Sequence, residues 1–184
     1  MEIHLIRHTE VENPDRLCYG FADITLKESY QEDFELLNLH DSYDLIVSSP
    51  LQRCRLLAEY TGQTYEVDDR LKEMNFGDWE MVKWTEIPAV EINPWYEDFV
   101  NLRATNGENL LEMQNRVLIF WKELIGKENL NKVLLVTHGG VIRVILQSIL
   151  KFPLENMFSI QIDYGKKVII KIENKIPVIR QVNV

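Results

Sequence analysis

Cysteine is scarce in this chain: Cys18 and Cys54 are the only two in 184 residues. Two cysteines in unrelated contexts make no disulfide framework, and neither sits in a Cys-x-x-Cys pair, so no zinc site or redox dithiol is expected of them. Cys54 falls within an expected helix and reads as a small core residue. Glycine and proline are also sparse, at 8 and 6, and nowhere gather with serine into a linker or low-complexity tract. With no internal repeat either, one domain over residues 1–184 is expected. Basic residues are in deficit, 20 against 29 acidic ones, for a formal net charge of −9. That balance argues against a nucleic-acid or anionic-membrane partner, each of which wants a basic face. A small anionic substrate stays open, because it needs only a local basic pocket. No apolar run approaches the roughly 20 residues of a membrane span. Met1-Glu2-Ile3-His4 lacks the basic start of a signal peptide, so a soluble cytoplasmic protein is expected.

What the chain does have is apolar residues, 46% of the total, arranged as short runs alternating with longer amphipathic stretches. That is the pattern of an α/β domain. Strands are expected at Ile3–Ile6, Asp44–Val47, Thr64–Val67 and Val133–Val136, the last apolar on both faces and therefore central. Helices are expected over Glu28–Leu39, after Ser49-Pro50 as far as Gly62, over Leu110–Leu124 as far as Gly126, and over Val141–Leu150 before Pro153. Ser49 suits the N-cap and Pro50 the first turn of the second of these helices. Residues 76–105, rich in tryptophan, form an irregular, partly helical excursion. Phe158–Ile162, Lys167–Ile172 and Val178–Val182 read as a terminal meander, with turns at Tyr164-Gly165 and Glu173-Asn174.

Two of the strands end in histidine. Ile3–Ile6 runs into Arg7-His8, and Val133–Val136 runs into Thr137-His138-Gly139-Gly140. Ligands of open α/β sheets bind at the carboxyl ends of strands. Arginine offers a fixed fork of donors suited to phosphate, and histidine acts as a nucleophile or exchanges protons near neutral pH. Arg53, off the apolar stripe of its helix, points from near the end of the second strand. Gly139 and Gly140 leave amides open at a helix start, a ready anion site. The shared chemistry is phosphoryl transfer: His8 attacks phosphorus, while Arg7, Arg53 and a protonated His138 hold the transferred oxygens. A leaving alkoxide also needs a proton, and Glu73 is one of 29 acidic residues that could supply it.

Four strings occur in order: Leu5-Ile6-Arg7-His8, Ser48-Ser49-Pro50-Leu51-Gln52-Arg53, Glu73-Met74-Asn75-Phe76-Gly77-Asp78-Trp79-Glu80, and Val136-Thr137-His138-Gly139-Gly140-Val141-Ile142-Arg143. Together they resemble the histidine phosphatase superfamily, also called phosphoglycerate-mutase-like, over residues 3 to about 150. The resemblance implies a three-layer α/β/α sandwich with a mostly parallel central sheet. It implies His8 as the phosphorylated nucleophile, Arg7, Arg53 and His138 as the phosphate pocket with Gly139, and Glu73 as proton donor. It also implies a small phosphorylated substrate, no metal and no organic cofactor. Glu73–Met81, Ala104-Thr105-Asn106-Gly107-Glu108-Asn109, Cys18-Tyr19-Gly20 and Ile162-Asp163-Tyr164-Gly165 look most like the α-ribazole phosphatases of cobalamin assembly. Those enzymes remove the 5′-phosphate of α-ribazole 5′-phosphate. Other readings of the same motifs are a broad or different small-molecule phosphatase, a phosphoglycerate mutase, and a non-catalytic anion-binding protein. The last would be expected to lack one of the five site residues.

Departures fall in the first loop. Thr9 stands where the family usually has glycine, the loop over residues 9–25 is short, and Asn13 is not a secure match to the family's phosphate-contacting asparagine. Lys27 and Tyr30 replace the usual threonine and glycine of the next helix. Among the remaining candidates, His4 reads as a packing histidine and His40 as a solvated one. No ligand spacing joins His4, His8 and His138 into a metal site. Arg55 reads as an ordinary paired arginine. Arg143, one turn past His138, is within reach of a carboxylate. Trp79, Trp84 and Trp95 pack a cover or stack on an aromatic substrate. Glu108 suits the first turn of its helix.

Overall fold

The computed structural model describes all residues 1–184. The expected strands form as β1 (Glu2–Arg7), one residue longer at each end, β2 (Leu45–Ser48), shifted by one residue, β3 (Glu66–Val67), reduced to two residues, and β4 (Lys132–Thr137), one residue longer at each end. Strands β5 (Lys167–Glu173) and β6 (Ile176–Val182) complete one six-stranded sheet in the order β3-β2-β4-β1-β5-β6. The first four run parallel, and β5 and β6 are antiparallel additions at one edge.

The period of two along each strand divides the core. Ile3, Leu5, Val133 and Leu135 belong to a cluster of 29 buried apolar residues, while Ile6, Leu134 and Val136 belong to one of nine. The larger cluster is covered by α4 (Leu110–Ile125) and α5 (Gly139–Leu150) and by the tryptophans of the excursion. The smaller one is covered by α1 (Tyr30–Leu36) and α2 (Gln52–Tyr60). The result is the expected three-layer sandwich. The excursion contains a 3₁₀ turn at Gly77–Trp79 and helix α3 (Ala89–Glu97). No helix is long and apolar enough to cross a membrane. His4 faces the smaller layer and is buried, with Nδ1 at 3.1 Å from the Tyr43 hydroxyl and Nε2 at 2.9 Å from Glu2.

Local grammar misleads at four places. The Ser49-Pro50 start is not the start of α2: Leu51 is the extended residue before the helix, and the Gln52 amide of the first turn donates to Asp23 at 2.7 Å. The Ser49 hydroxyl is drawn away by a tertiary partner described below. Phe158–Ile162 is not a strand. Pro153 opens a 3₁₀ segment over Leu154–Ser159 that buries Leu154 and Met157 beside α5, so the terminal meander is a hairpin of two strands. Its turn is Asn174-Lys175, both at positive φ. The helix expected over Glu28–Leu39 is only the seven residues of α1.

Helix α4 is well determined by its own sequence. Met113, Val117, Phe120 and Leu124 form the buried stripe, and Asn109 and Glu112 close a reciprocal capping box at the N-terminus. Asn109→Ala removes the cap and should lower unfolding free energy by about 1 kcal/mol, read by urea titration; an unchanged midpoint would contradict this account of α4.

Candidate active site

The parallel register aligns the carboxyl ends of three strands. Arg7 of β1 lies opposite Thr137 of β4, and Ser48 of β2 lies opposite Val136. The next residue of each strand is therefore delivered to the same edge: His8, His138 and Ser49. The His8 and His138 rings stand edge to face with centroids 5.2 Å apart, both buried. His8 Nδ1 donates to the Thr9 carbonyl oxygen at 2.7 Å, which leaves Nε2 with its lone pair. His138 Nε2 meets the Ser49 hydroxyl at 2.8 Å, the tertiary partner that removes Ser49 from capping. Cys54 is buried as expected and sits behind this pair, with Sγ at 3.5 Å from His138 Nε2.

Two arginines join them. Arg53, from the first turn of α2, is 1% exposed. Its terminal nitrogens donate to the carbonyls of Ala22 at 2.8 Å and Gly20 at 2.6 Å. Arg7 donates to the Ile162 carbonyl at 2.6 Å and lies over the Tyr164 ring, its Cζ 3.5 Å from the centroid. Neither guanidinium forms an ion pair, and the Nε of each is buried without a protein partner. Burial first, then the charge of Arg53, holds both imidazoles well below the usual histidine range; Arg7 adds to the effect on each. Without an anion in the site, His138 is therefore neutral rather than protonated.

Glu73 lies on an irregular segment and reaches the edge from the side. Its carboxylate accepts from the Met74 amide at 3.0 Å and the Gly140 amide at 3.0 Å. The Gly140 amide is thus taken by Glu73, not open to an anion as expected. A Cβ at Gly140 would stand 2.1 Å from Glu73 Oε1, so only glycine leaves room for the carboxylate. Gly139, the first residue of α5, leaves room for the guanidinia of Arg143 and Arg7, which a Cβ would approach at 2.9 and 3.5 Å.

Arg7, His8, Glu73, Gly140 and Arg143 open into one cleft of about 220 Å³. Its other wall is aromatic: Tyr19, Phe76, Trp84, Trp95, Phe99 and Phe158. Trp79 is buried behind that wall, its indole donating to Glu91 at 2.9 Å.

Several residues act differently from their sequence reading. Asn13 spends its side chain on the backbone of Leu17, at 2.8 and 3.0 Å. Thr9 is buried, with its methyl group near Gly165. Arg55 and His40 do follow their reading: Arg55 pairs with Glu59 on the surface, and His40 is exposed. Arg143 forms no ion pair and donates from Nε to the Ile160 carbonyl at 2.8 Å. Glu108 precedes α4 and pairs with Arg116 instead of serving its first turn. Glu80 had no assigned role. Its carboxylate accepts from the amides of Gly20, Phe21, Ala22 and Phe76, at 2.8–3.0 Å, and shapes the loop that Arg53 grips. Its place in the Glu73–Glu80 string was the available signal. No group of three or more His, Cys, Asp or Glu side chains is placed to hold a metal ion.

The model of the histidine phosphatase superfamily (branch 1) matches residues 3–184. The chain belongs to this superfamily. Among curated members it is 30% identical to adenosylcobalamin/alpha-ribazole phosphatase of Escherichia coli K12, over 100% of this chain and 96% of that one. It is 27% identical to phosphoserine phosphatase 1 of Hydrogenobacter thermophilus, over 100% and 92% of the two chains. Among solved histidine phosphatase structures, the alpha-ribazole phosphatase of Shigella flexneri superposes with a TM-score of 0.91 at 29% identity, covering 100% of this chain and 96% of that one.

The imidazole environment makes stability pH-dependent in this histidine phosphatase. Burial lowers the folded-state pKa of His8 and His138, so below the unfolded value of about 6.5 the unfolded chain binds protons first. Stability is therefore complete above that pH. It falls as pH drops from about 6.5 toward 5, by up to about 1.4 kcal/mol per pH unit for each such histidine. Urea unfolding between pH 7 and 5 should show this slope, and His138→Asn should flatten it; an identical slope in the variant would contradict the assignment.

Proposed function

We propose that this histidine phosphatase hydrolyses a phosphomonoester by double displacement on His8, and that its substrate is α-ribazole 5′-phosphate. The observation that carries the reading is the cleft itself: Arg7, His8 and Glu73 share one opening with six aromatic rings. The polar end suits a phosphate and the aromatic wall suits a benzimidazole. Ring contacts run continuously from Phe76 through Trp84 and Trp95 to Phe99 and Phe158, with centroids 5.4–6.0 Å apart. The alpha-ribazole phosphatases among its relatives support the same substrate.

In the first step the lone pair of His8 Nε2 attacks phosphorus. The Thr9 carbonyl holds the Nδ1 proton, so Nε2 is the free nitrogen. The bond from phosphorus to the leaving ribose oxygen breaks, and the Glu73 carboxyl gives that oxygen its proton. Arg7, Arg53, His138 and the Gly139 amide hold the transferred oxygens. The unpartnered Nε groups of both arginines are then satisfied by an anion. A phosphate dianion also offsets both guanidinia and lets His138 take up a proton. In the second step the Glu73 carboxylate takes a proton from water as its oxygen attacks phosphorus. The phosphorus–nitrogen bond breaks, its electrons return to His8, and orthophosphate leaves. No step uses a metal or an organic cofactor. A cytoplasmic location and a place in cobalamin assembly follow from this substrate.

The test is phosphate release from α-ribazole 5′-phosphate, phosphoserine, 3-phosphoglycerate and p-nitrophenyl phosphate, with and without EDTA. The expected result is a kcat/KM for α-ribazole 5′-phosphate at least about tenfold above the two smaller metabolites, as buried apolar contacts of a kcal/mol or more would give. EDTA should have no effect, and His8→Ala should lose at least about 1,000-fold. Equal rates across the panel would overturn the substrate, and activity surviving His8→Ala would overturn the mechanism.

A further inference from the structure

We propose that Arg116 is a positioning residue for Glu73, setting where the proton donor stands and hence how well the enzyme expels a poor leaving group. The inference rests on Glu73 being the donor, as argued above.

Glu73 lies between the 3₁₀ turns Asp69–Leu71 and Gly77–Trp79, on a segment with no helix or strand to fix it. Side chains must therefore do so. Arg116, on α4, donates from Nη1 to the carbonyls of Arg70 at 2.9 Å and Lys72 at 2.8 Å. From Nη2 it donates to the Glu73 carbonyl at 2.8 Å. Its remaining donors go to Glu108, from Nε at 3.1 Å and from Nη2 at 2.5 Å. These five bonds use all five N–H groups of a guanidinium. Glu108 completes the brace by accepting from the Asn75 amide at 2.9 Å, while its own amide donates to the Asn75 carbonyl at 3.0 Å. The segment is thus gripped on both sides of Glu73, and both gripping residues are tied to α4. A lysine carries three donors on a flexible stem and cannot reproduce this set.

Glu73 in turn reaches Gly140 across the cleft, at 3.0 Å from its amide. A displacement of about 1 Å at a reacting group costs on the order of 100-fold. Arg116 is only partly buried, at 19% side-chain exposure, and holds the segment by polar bonds, so loosening it moves the donor without emptying the core.

The readout is leaving-group dependence. α-Ribazole 5′-phosphate releases an alkoxide and needs the proton; p-nitrophenyl phosphate releases a stable phenolate and does not. The quantity measured is the ratio of kcat/KM for the first substrate to that for the second, which reports the first chemical step. Glu73→Gln should lower this ratio at least tenfold. Arg116→Lys should lower it in the same direction, by at least threefold, and Arg116→Gln by more. In the Glu73→Gln background Arg116→Lys should not change the ratio further, because it acts through Glu73. A ratio that falls for Glu73→Gln but stays at the wild-type value in both Arg116 variants overturns the inference. So does a fall in the double variant beyond that of Glu73→Gln. A wild-type ratio in Glu73→Gln itself overturns the donor reading instead. Should Arg116→Gln fail to fold, Arg116→Lys alone decides.

Discussion

A guanidinium buried without a carboxylate is the constraint around which the site is built. Arg53 is 1% exposed, and the protein hydrogen-bonds its guanidinium through the carbonyls of Gly20 and Ala22 and gives it no carboxylate. Charge removed from water in this way is costly unless a partner restores the balance. Three features follow. The loop that supplies the carbonyls must be held, and Glu80 holds it through the amides of Gly20, Phe21 and Ala22. The neighbouring imidazoles are held toward the neutral form, as the proposed attack by His8 requires. The site is also poised for an anion, since an anion is the partner that Arg7 and Arg53 lack.

Two tyrosines beside the arginines extend this logic. Tyr164 lies beneath Arg7 and Tyr19 lies 5.3 Å from the Arg53 guanidinium, and their hydroxyls meet at 2.7 Å. The faces of aromatic rings attract cations without neutralising them. Both guanidinia are therefore oriented while their charge stays available. The same environment pushes the Tyr19 hydroxyl above its ordinary range, by burial first and then by Tyr164, so it remains a neutral hydrogen-bonding group.

Much of the site was legible because strand ends can be read locally. Apolar runs ending in Arg7-His8 and Thr137-His138 predict where the side chains emerge, and parallel pairing brings them together. The layers were legible for a similar reason: the periods of Ile3–Ile6 and Met113–Leu124 follow from which face is buried. What was misread depends on partners distant in sequence. Ser49 has the composition of a cap, but His138 lies 89 residues away and takes its hydroxyl. Glu108 has the composition of a first-turn acid, but Arg116 and the Asn75 amide claim it. Phe158–Ile162 is apolar enough for a strand. Yet Pro153 opens a 3₁₀ turn, and that turn places Phe158 on the rim of the cleft. Substrate preference is the least local property of all, since its aromatic wall is assembled from Tyr19, the excursion and the segment after α5.

The central claim is that phosphate resides transiently on Nε2 of His8. The most direct measurement is to quench the enzyme with alkali during turnover of p-nitrophenyl phosphate and to identify the phosphorylated atom by phosphorus–nitrogen NMR on histidine-labelled protein. The account predicts an acid-labile, alkali-stable phosphohistidine at His8, bonded through Nε2. Phosphate on Nδ1 or on another residue, or sustained turnover with no phosphoenzyme at any time, would contradict it.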